Sequence, residues 1–199
     1  KKDKLIYEEK DERFTVGMGG LTTDEKFFLI NTSDHSTTET LYFSSEKNEI
    51  NLKIFQKRNK KIRYSIDSWK KYFYIHTNQD ESSDFKICRC KHKNIDVWED
   101  YVPSRKEVII GNFLLLENWM IRSETSNALH KLFVRNLNNN YEEELIFSDE
   151  KVCNPSISEI QKDRNTDNVY ISYSSPRTNA RTFLYNLKLK QKKLVKEQE

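Results

Sequence analysis

The chain has 199 residues, which is enough to bury a core in one or two ordinary domains. Its 34 Lys and Arg residues against 31 Asp and Glu residues give a formal net charge of +3, and this balance argues against nucleic acid or an anionic membrane surface as a partner. No stretch is apolar for long enough to span a membrane, and no signal peptide is visible, although the abrupt start leaves open that an upstream part has been removed.

The three cysteines bear on the cellular compartment. Cys88, Cys90 and Cys153 are an odd number, which argues against a disulfide scaffold and favours a reducing environment. We therefore expect a cytoplasmic protein.

Short runs of β-branched and aromatic residues, separated by polar turn residues, follow each other from the N-terminus and predict strands. The first eight predicted strands cover residues 14–19, 27–32, 38–44, 51–56, 62–67, 72–77, 85–90 and 97–102. The next eight cover residues 108–116, 119–123, 130–136, 143–147, 156–161, 169–174, 182–187 and 193–196. Short connections between neighbouring strands predict antiparallel pairing.

The strand pattern repeats itself along the chain. Corresponding apolar markers at Tyr42, Ile87, Phe133 and Leu184 stand 45, 46 and 51 residues apart. Four strands in a unit of this length are typical of a β-propeller blade. The sequence therefore predicts an all-β fold: one partial propeller domain over 1–199, with four blades of four antiparallel strands at about 10–57, 58–105, 106–148 and 149–199. Four blades either close with strong curvature or leave apolar blade edges exposed, through which the chain could associate with itself.

Motifs that carry chemistry are scarce. The glycine cluster at 16–20 lacks the helix and basic residue of an anion-binding loop, and a bulge or tight turn explains it better. The four histidines, His35, His76, His92 and His130, have no serine or cysteine with a carboxylate partner in a local motif. Acidic pairs such as those at 80–81, 142–144 and 149–150 are expected on solvated edges, and the aromatic residues in blade cores. We predict no catalytic residue, no cofactor and no metal in the chain, and the sequence leaves the substrate-binding residues unknown.

A zinc site is the one alternative that the spacing allows. Cys88, Cys90 and His92 alternate, so that in a strand their side chains would share a face, and His76 lies on the neighbouring predicted strand. Structural zinc sites usually use Cys-x-x-Cys pairs on turns, and buried cysteines are ordinary small apolar residues, which favours the core interpretation.

Several sequence strings resemble the propeller of the prolyl oligopeptidase family. YFYIH at 72–76, followed by TNQD at 77–80 and FKI at 85–87, resembles a hairpin of that family, and WEDYVPSR at 98–105 resembles one of its strands. ISYSSP at 171–176, FLYNL at 183–187 and KKLVKEQE at 192–199 are similar to the end of the propeller in the oligopeptidase B branch. ERF at 12–14 and TETL at 38–41 are similar to earlier propeller positions of the same branch.

The resemblance implies a serine peptidase in which a seven-bladed propeller covers an α/β-hydrolase domain and filters substrates by size. The oligopeptidase B branch cleaves short peptides after Arg or Lys. The chain stops before any hydrolase sequence, so no position carries the nucleophile or its partners, and we expect no peptidase activity from the chain alone. Its expected partners are the missing catalytic domain and, through it, short peptides. The alternatives are a free-standing propeller that binds other proteins and a propeller that binds a sugar or another small ligand.

Overall fold

The computed structural model describes residues 3–47, 49–146, 150, 152–159 and 164–198, and the described residues form strands and turns. The backbone divides into two compact units, residues 1–104 and residues 105–199. Each unit contains two four-stranded sheets. The limits of the four predicted blades, and their union in a single domain, stay predictions.

Unit 1 holds sheets 1 and 2. Sheet 1 consists of β1 (Thr15–Leu21), β2 (Phe27–Ser33), β3 (Thr38–Ser44) and β4 (Lys53–Gln56). Sheet 2 consists of β5 (Tyr64–Trp69), β6 (Tyr72–Thr77), β7 (Lys86–Lys91) and β8 (Asn94–Val102).

Unit 2 holds sheets 3 and 4. Sheet 3 consists of β9 (Val108–Leu115), β10 (Trp119–Ser126), β11 (Leu129–Asn136) and β12 (Glu142–Glu144). Sheet 4 consists of β13 (Ser156–Ser158), β14 (Asn168–Tyr173), β15 (Arg181–Asn186) and β16 (Gln191–Glu197).

Every sheet is an antiparallel meander in which the strands pair in chain order. This confirms the predicted all-β fold with four sheets of four strands. Tight hairpins account for the pairing: Asn127 and Ala128 join β10 to β11 and both have positive φ, as a type I′ turn requires. The predicted strand at 97–102 starts earlier than expected, because a turn of only two residues lets Asn94 pair with Lys91. Residues 147 and 160–161, at the ends of two predicted strands, and Asp149 of the predicted acidic edge lie outside the described residues.

The core of unit 1 lies between sheets 1 and 2. Phe73 on β6 is 1% exposed, and its ring contacts the rings of Phe27, Tyr42 and Phe55 of sheet 1 at centroid distances of 4.9, 5.6 and 5.1 Å. Alternating residues of β6 and β7 complete this face, among them Ile75, Cys88 and Cys90. Side chains of both sheets therefore fill one shared core, as in neighbouring blades of a propeller.

The core of unit 2 is built in the same way from sheets 3 and 4. Ile121 and Leu132 of sheet 3 pack with Val169 and Ile171 of sheet 4, and all four side chains are at most 1% exposed. Aromatic residues contribute to both cores, with Phe73 and Phe55 buried in unit 1 and Tyr173 buried in unit 2.

The glycine cluster of β1 forms a bulge, which confirms the structural interpretation of this motif. The register of β1 against β2 shifts between Met18 and Gly20. A Cβ on Gly19 would stand 2.7 Å from the Cβ of Leu29, whereas a Cβ on Gly17 would meet nothing within 4 Å.

Gly19→Ala is therefore expected to lower the free energy of unfolding of unit 1 by about 1–3 kcal/mol, because the new methyl group would clash with the side chains of Leu29 and Asn31 on β2. Gly17→Ala is the matched control and should change the free energy of unfolding by less than about 1 kcal/mol. Urea denaturation of both variants measures the difference. Equal effects of the two substitutions would contradict the bulge geometry.

Candidate functional site

The turn between β1 and β2 binds the end of β5 through several hydrogen bonds. The backbone N–H and the hydroxyl of Thr23 donate to the carboxylate of Asp67 at 2.7 and 2.6 Å. The backbone N–H of Asp24 donates to the carbonyl of Ser68 at 3.1 Å, and the Ser68 hydroxyl donates to the Asp24 carboxylate at 2.9 Å. These bonds join sheets 1 and 2 at one end of their shared core.

His92 completes this junction. It lies in the β7–β8 turn, and its Nε2 is 2.9 Å from the hydroxyl of Ser68. A serine, a histidine and an aspartate thus meet although they are far apart in sequence. We call Asp24, Ser68 and His92 the cross-sheet junction.

The order of the three groups decides what chemistry they can perform. In a serine hydrolase, histidine lies between serine and aspartate, so that it can take the serine proton and pass it to the leaving group. Here Ser68 lies between the other two, and its hydroxyl donates to Asp24. Ser68 is also 0% exposed, so no substrate carbonyl can reach its oxygen. The cross-sheet junction therefore cannot act as a nucleophilic triad.

The surroundings of His92 favour the neutral imidazole. Its ring lies against Phe73 at 4.6 Å and Phe27 at 5.2 Å. This burial lowers the pKa of His92 below its usual value, against the opposite effect of the Tyr72 carbonyl and the Asp24 carboxylate.

The zinc alternative does not fit the geometry of the strands. Cys88 pairs with Ile75 on β6, whereas His76 pairs with Ile87, so His76 and Cys88 lie on opposite faces of the sheet. His92 stands outside β7 and bonds to Ser68. Among the described residues, no cluster of three or more His, Cys, Asp or Glu side chains is placed to hold a metal ion.

The two buried cysteines are part of the core of unit 1. Cys88 is 2% exposed, and its thiol donates to the carboxylate of Asp100 at 3.3 Å. Burial raises the pKa of both Cys88 and Cys90 to about 12. Both thiols are therefore protonated and unreactive at neutral pH. Cys153 is half-buried, and like Cys88 and Cys90 it is a free thiol.

Of the remaining histidines, His76 and His130 contact neighbouring side chains. His76 stacks on Phe85 with a centroid distance of 4.5 Å, and His130 Nδ1 lies 2.9 Å from the hydroxyl of Thr125. His35 lines a cavity of about 700 Å³ at the end of unit 1.

Four basic and two acidic side chains line that cavity, and its two arginines are held in ion pairs. Arg13 is paired with Asp11 at 2.7 Å, and Arg58 is paired with Glu9 and with Glu39. The Arg58 guanidinium also lies 3.9 Å above the Phe14 ring. These contacts fasten the N-terminal segment to sheet 1, so the cavity wall has a structural role.

Unit 2 contains a buried ion-pair network around Arg122. The Arg122 side chain is 0% exposed and bonds to Glu124 at 2.7 Å and to Glu142 at 2.6 Å. Arg105 reaches the same Glu124, and Arg135 reaches the same Glu142 at 2.7 Å. Although burial opposes the charged form, these carboxylates raise the pKa of Arg122. Each of the three guanidinium groups thus has a carboxylate partner, and the network ties β10, β11 and β12 of sheet 3 together.

The first and last sheets expose apolar side chains. On β1, Val16 and Met18 are 46% and 77% exposed, and on β16, Leu194 and Val195 are 46% and 53% exposed. Exposed apolar side chains grouped on a strand are typical of surfaces that pack against further protein.

The described residues thus build paired antiparallel sheets that share buried cores, with polar clusters between and within the sheets. This is the class of a β-propeller scaffold. No described segment forms a helix that is long and apolar enough to cross a membrane.

Comparison with known proteins agrees with this class. The sequence model of the prolyl oligopeptidase N-terminal β-propeller domain matches residues 1–198. The chain therefore belongs to the prolyl oligopeptidase family, within its N-terminal propeller domain.

Three relatives are particularly similar. Dipeptidyl aminopeptidase BI of Pseudoxanthomonas mexicana is 26% identical over 98% of the chain, and Protease 2 of Moraxella lacunata is 24% identical over 97%. The structure of oligopeptidase B from Trypanosoma brucei with covalently bound antipain superposes with a TM-score of 0.88 over 97% of the chain at 22% identity. The chain covers 27% of each of the two sequence relatives and 28% of that structure. It thus spans about a quarter of the length of the proteins that it resembles.

Sequence reasoning missed the cross-sheet junction and the Arg122 network. Neither has a local motif, since their members come from different hairpins. One signal was available: Thr23 and Asp67, and likewise Asp24 and Ser68, are 44 residues apart, which is close to one repeat.

Proposed function

We propose that the chain is part of the propeller that controls access of short peptides to the hydrolase domain of an oligopeptidase B-like enzyme. In this role the chain supplies a wall and a size limit, while the hydrolase domain cleaves after Arg or Lys. The chain alone has no peptidase activity.

The observation that carries the proposal is the family match over residues 1–198 in a chain about one quarter as long as its relatives. The propeller domain of this family belongs to peptidases that carry their catalytic domain elsewhere in the polypeptide. The inverted order of the Ser68 junction and the protonated thiols of Cys88 and Cys90 also argue against chemistry within the described residues.

The exposed apolar side chains of β1 and β16 support the need for further protein. In a closed propeller, every blade packs on two neighbours around the channel. Val16, Met18, Leu194 and Val195 offer surface of this kind. Additional blades and the hydrolase domain are the partners that we propose.

The preference for Arg or Lys follows from the sequence resemblance to the oligopeptidase B branch. The curated relatives differ in name, one being a dipeptidyl aminopeptidase, so the substrate panel must separate the two reactions. We also propose a cytoplasmic location, which the three free thiols support and which cell fractionation tests.

The proposal is tested by assaying the chain alone and the chain joined to the remaining propeller and hydrolase segments of a family member. Fluorogenic peptides ending in Arg, Lys or Pro, together with dipeptidyl substrates, form the panel. We expect no turnover by the chain alone, and hydrolysis after Arg or Lys by the assembly. Hydrolysis by the chain alone would contradict the scaffold role. A folded assembly that leaves every peptide intact would favour a propeller that only binds other proteins.

A further inference from the structure

We propose that the cross-sheet junction is an acid-sensitive latch, which holds sheets 1 and 2 together at neutral pH and loosens when His92 is protonated. It acts within unit 1, whether or not the chain gates a peptidase.

The latch connects three separate turns and strand ends. Asp24 belongs to the β1–β2 turn of sheet 1, Ser68 to the end of β5, and His92 to the β7–β8 turn of sheet 2. Ser68 Oγ is 2.9 Å from both Asp24 Oδ2 and His92 Nε2. The backbone bond from Asp24 to Ser68 and the two bonds from Thr23 to Asp67 lie beside this chain of polar groups. Loosening the latch therefore exposes a defined set of amides.

The number of protons available to the latch depends on His92. Two hydrogen bonds of the latch need a proton: Asp24 with Ser68, and Ser68 with His92. The Ser68 hydroxyl and the Nε2–H of a neutral imidazole supply both protons. The hydrogen bonds of the latch are therefore complete with the uncharged ring.

Partial burial disfavours the charged ring. The half-buried ring of His92 lies against Phe27 and Phe73, and an imidazolium there loses hydration on the sides that these rings cover. The pKa of His92 is accordingly lowered, with burial as its largest cause.

Other charged groups around the ring contribute in both directions. Asp24 favours the imidazolium and Lys26 disfavours it. Asp67 is next to Ser68, and lysines lie nearby in the turns at positions 70, 71 and 93.

The sign of the pH effect follows from linkage. A histidine whose pKa is lower in the closed state than in the open state binds a proton more readily when the latch is open. Closure is therefore fully favoured at pH values above the ordinary histidine pKa of about 6.5, and it weakens as the pH falls below that value. Asp67 acts in the opposite direction, because burial raises its pKa in the folded protein and acid then favours closure.

The test is hydrogen exchange of the Thr23 and Asp24 amides in the full chain between pH 7.5 and pH 5.5. After correction for the intrinsic exchange rate, the equilibrium constant for opening should increase at the lower pH, by at most about tenfold, which is the limit that an open-state pKa of about 6.5 sets. The amide of Ile75, in the core strand β6, serves as the internal reference. His92→Gln should remove the increase but keep the Asp67 contribution, so its exchange should stay constant or slow in acid.

His130→Gln is the matched control, because His130 lies in unit 2 on an exposed strand position and should leave the increase unchanged. If His92→Gln does not fold, NMR titration of the His92 ring in the wild-type chain replaces it and should give a midpoint below about 6.5. The latch is disproved if exchange at Thr23 and Asp24 slows or stays constant in wild-type protein, or if the His92 midpoint lies above the ordinary value.

Discussion

Arg122→Leu is expected to lower the free energy of unfolding of unit 2 by about 3–5 kcal/mol. The substitution leaves Glu124, whose side chain is 3% exposed, with only the contact to Arg105, and it removes two bonds from Glu142. The desolvation penalty of a buried carboxylate that has lost its main partner exceeds the electrostatic attraction that is lost with that partner. Urea denaturation measures the loss, and amide exchange in β10 and β11 assigns it to unit 2.

Two further variants separate the buried charge from the contact. Arg181→Leu removes an ion pair whose partners are 41% and 43% exposed, and it should cost no more than about 1 kcal/mol. Arg122→Leu combined with Glu124→Leu should recover a large part of the loss, because the buried carboxylate that had lost its Arg122 partner is then absent. A loss below about 1 kcal/mol for Arg122→Leu would show that the network does not stabilise sheet 3.

Phe73→Ala is expected to destabilise unit 1 by about 3–5 kcal/mol, since it leaves a cavity at the centre of the core. The Phe73 ring contacts rings of both sheets, including Phe27, Phe55 and His92. Its loss should also reduce the pH dependence of the latch, because the cavity lets water reach His92. Urea denaturation at pH 7.5 and 5.5 measures both effects.

Phe28→Ala provides the comparison. Phe28 is half-buried and stacks on Phe43 at 5.1 Å, on the face of sheet 1 opposite to the shared core. Its replacement should lower the free energy of unfolding by about 1–2 kcal/mol and leave the pH dependence of the unfolding free energy unchanged. Equal losses of unfolding free energy for Phe73→Ala and Phe28→Ala would contradict the position of the core between sheets 1 and 2.

Strand positions could be predicted because they follow from local composition. Runs such as 38–44 and 72–77 combine aromatic and β-branched residues between polar turns, and both are strands with the predicted bounds. The bulge in β1 could be predicted as well, because glycines within a strand mark a place where backbone approaches closely.

Register and sheet partners could not be predicted in the same way. Whether His76 shares a face with Cys88 depends on a pairing offset of one residue, and the sequence of β6 and β7 allows either offset. The cross-sheet junction depends on two such offsets and on how the sheets pack. Contacts one repeat apart were the available guide: Thr23 with Asp67 in unit 1, at a separation of 44, has a counterpart in Trp119 with Asp167 in unit 2, at 48.

The most direct measurement of the gating role compares substrates of different size in one assembly. The chain is combined with the remaining segments of a family peptidase, and kcat/KM is measured for a short Arg-ending peptide and for the same sequence within a folded protein. We expect the complete assembly to cleave the short peptide and to leave the folded protein intact. A variant that lacks the segment equivalent to residues 1–198, and whose hydrolase domain still folds, should cleave both. Equal cleavage of both substrates by the complete assembly would contradict the gating role.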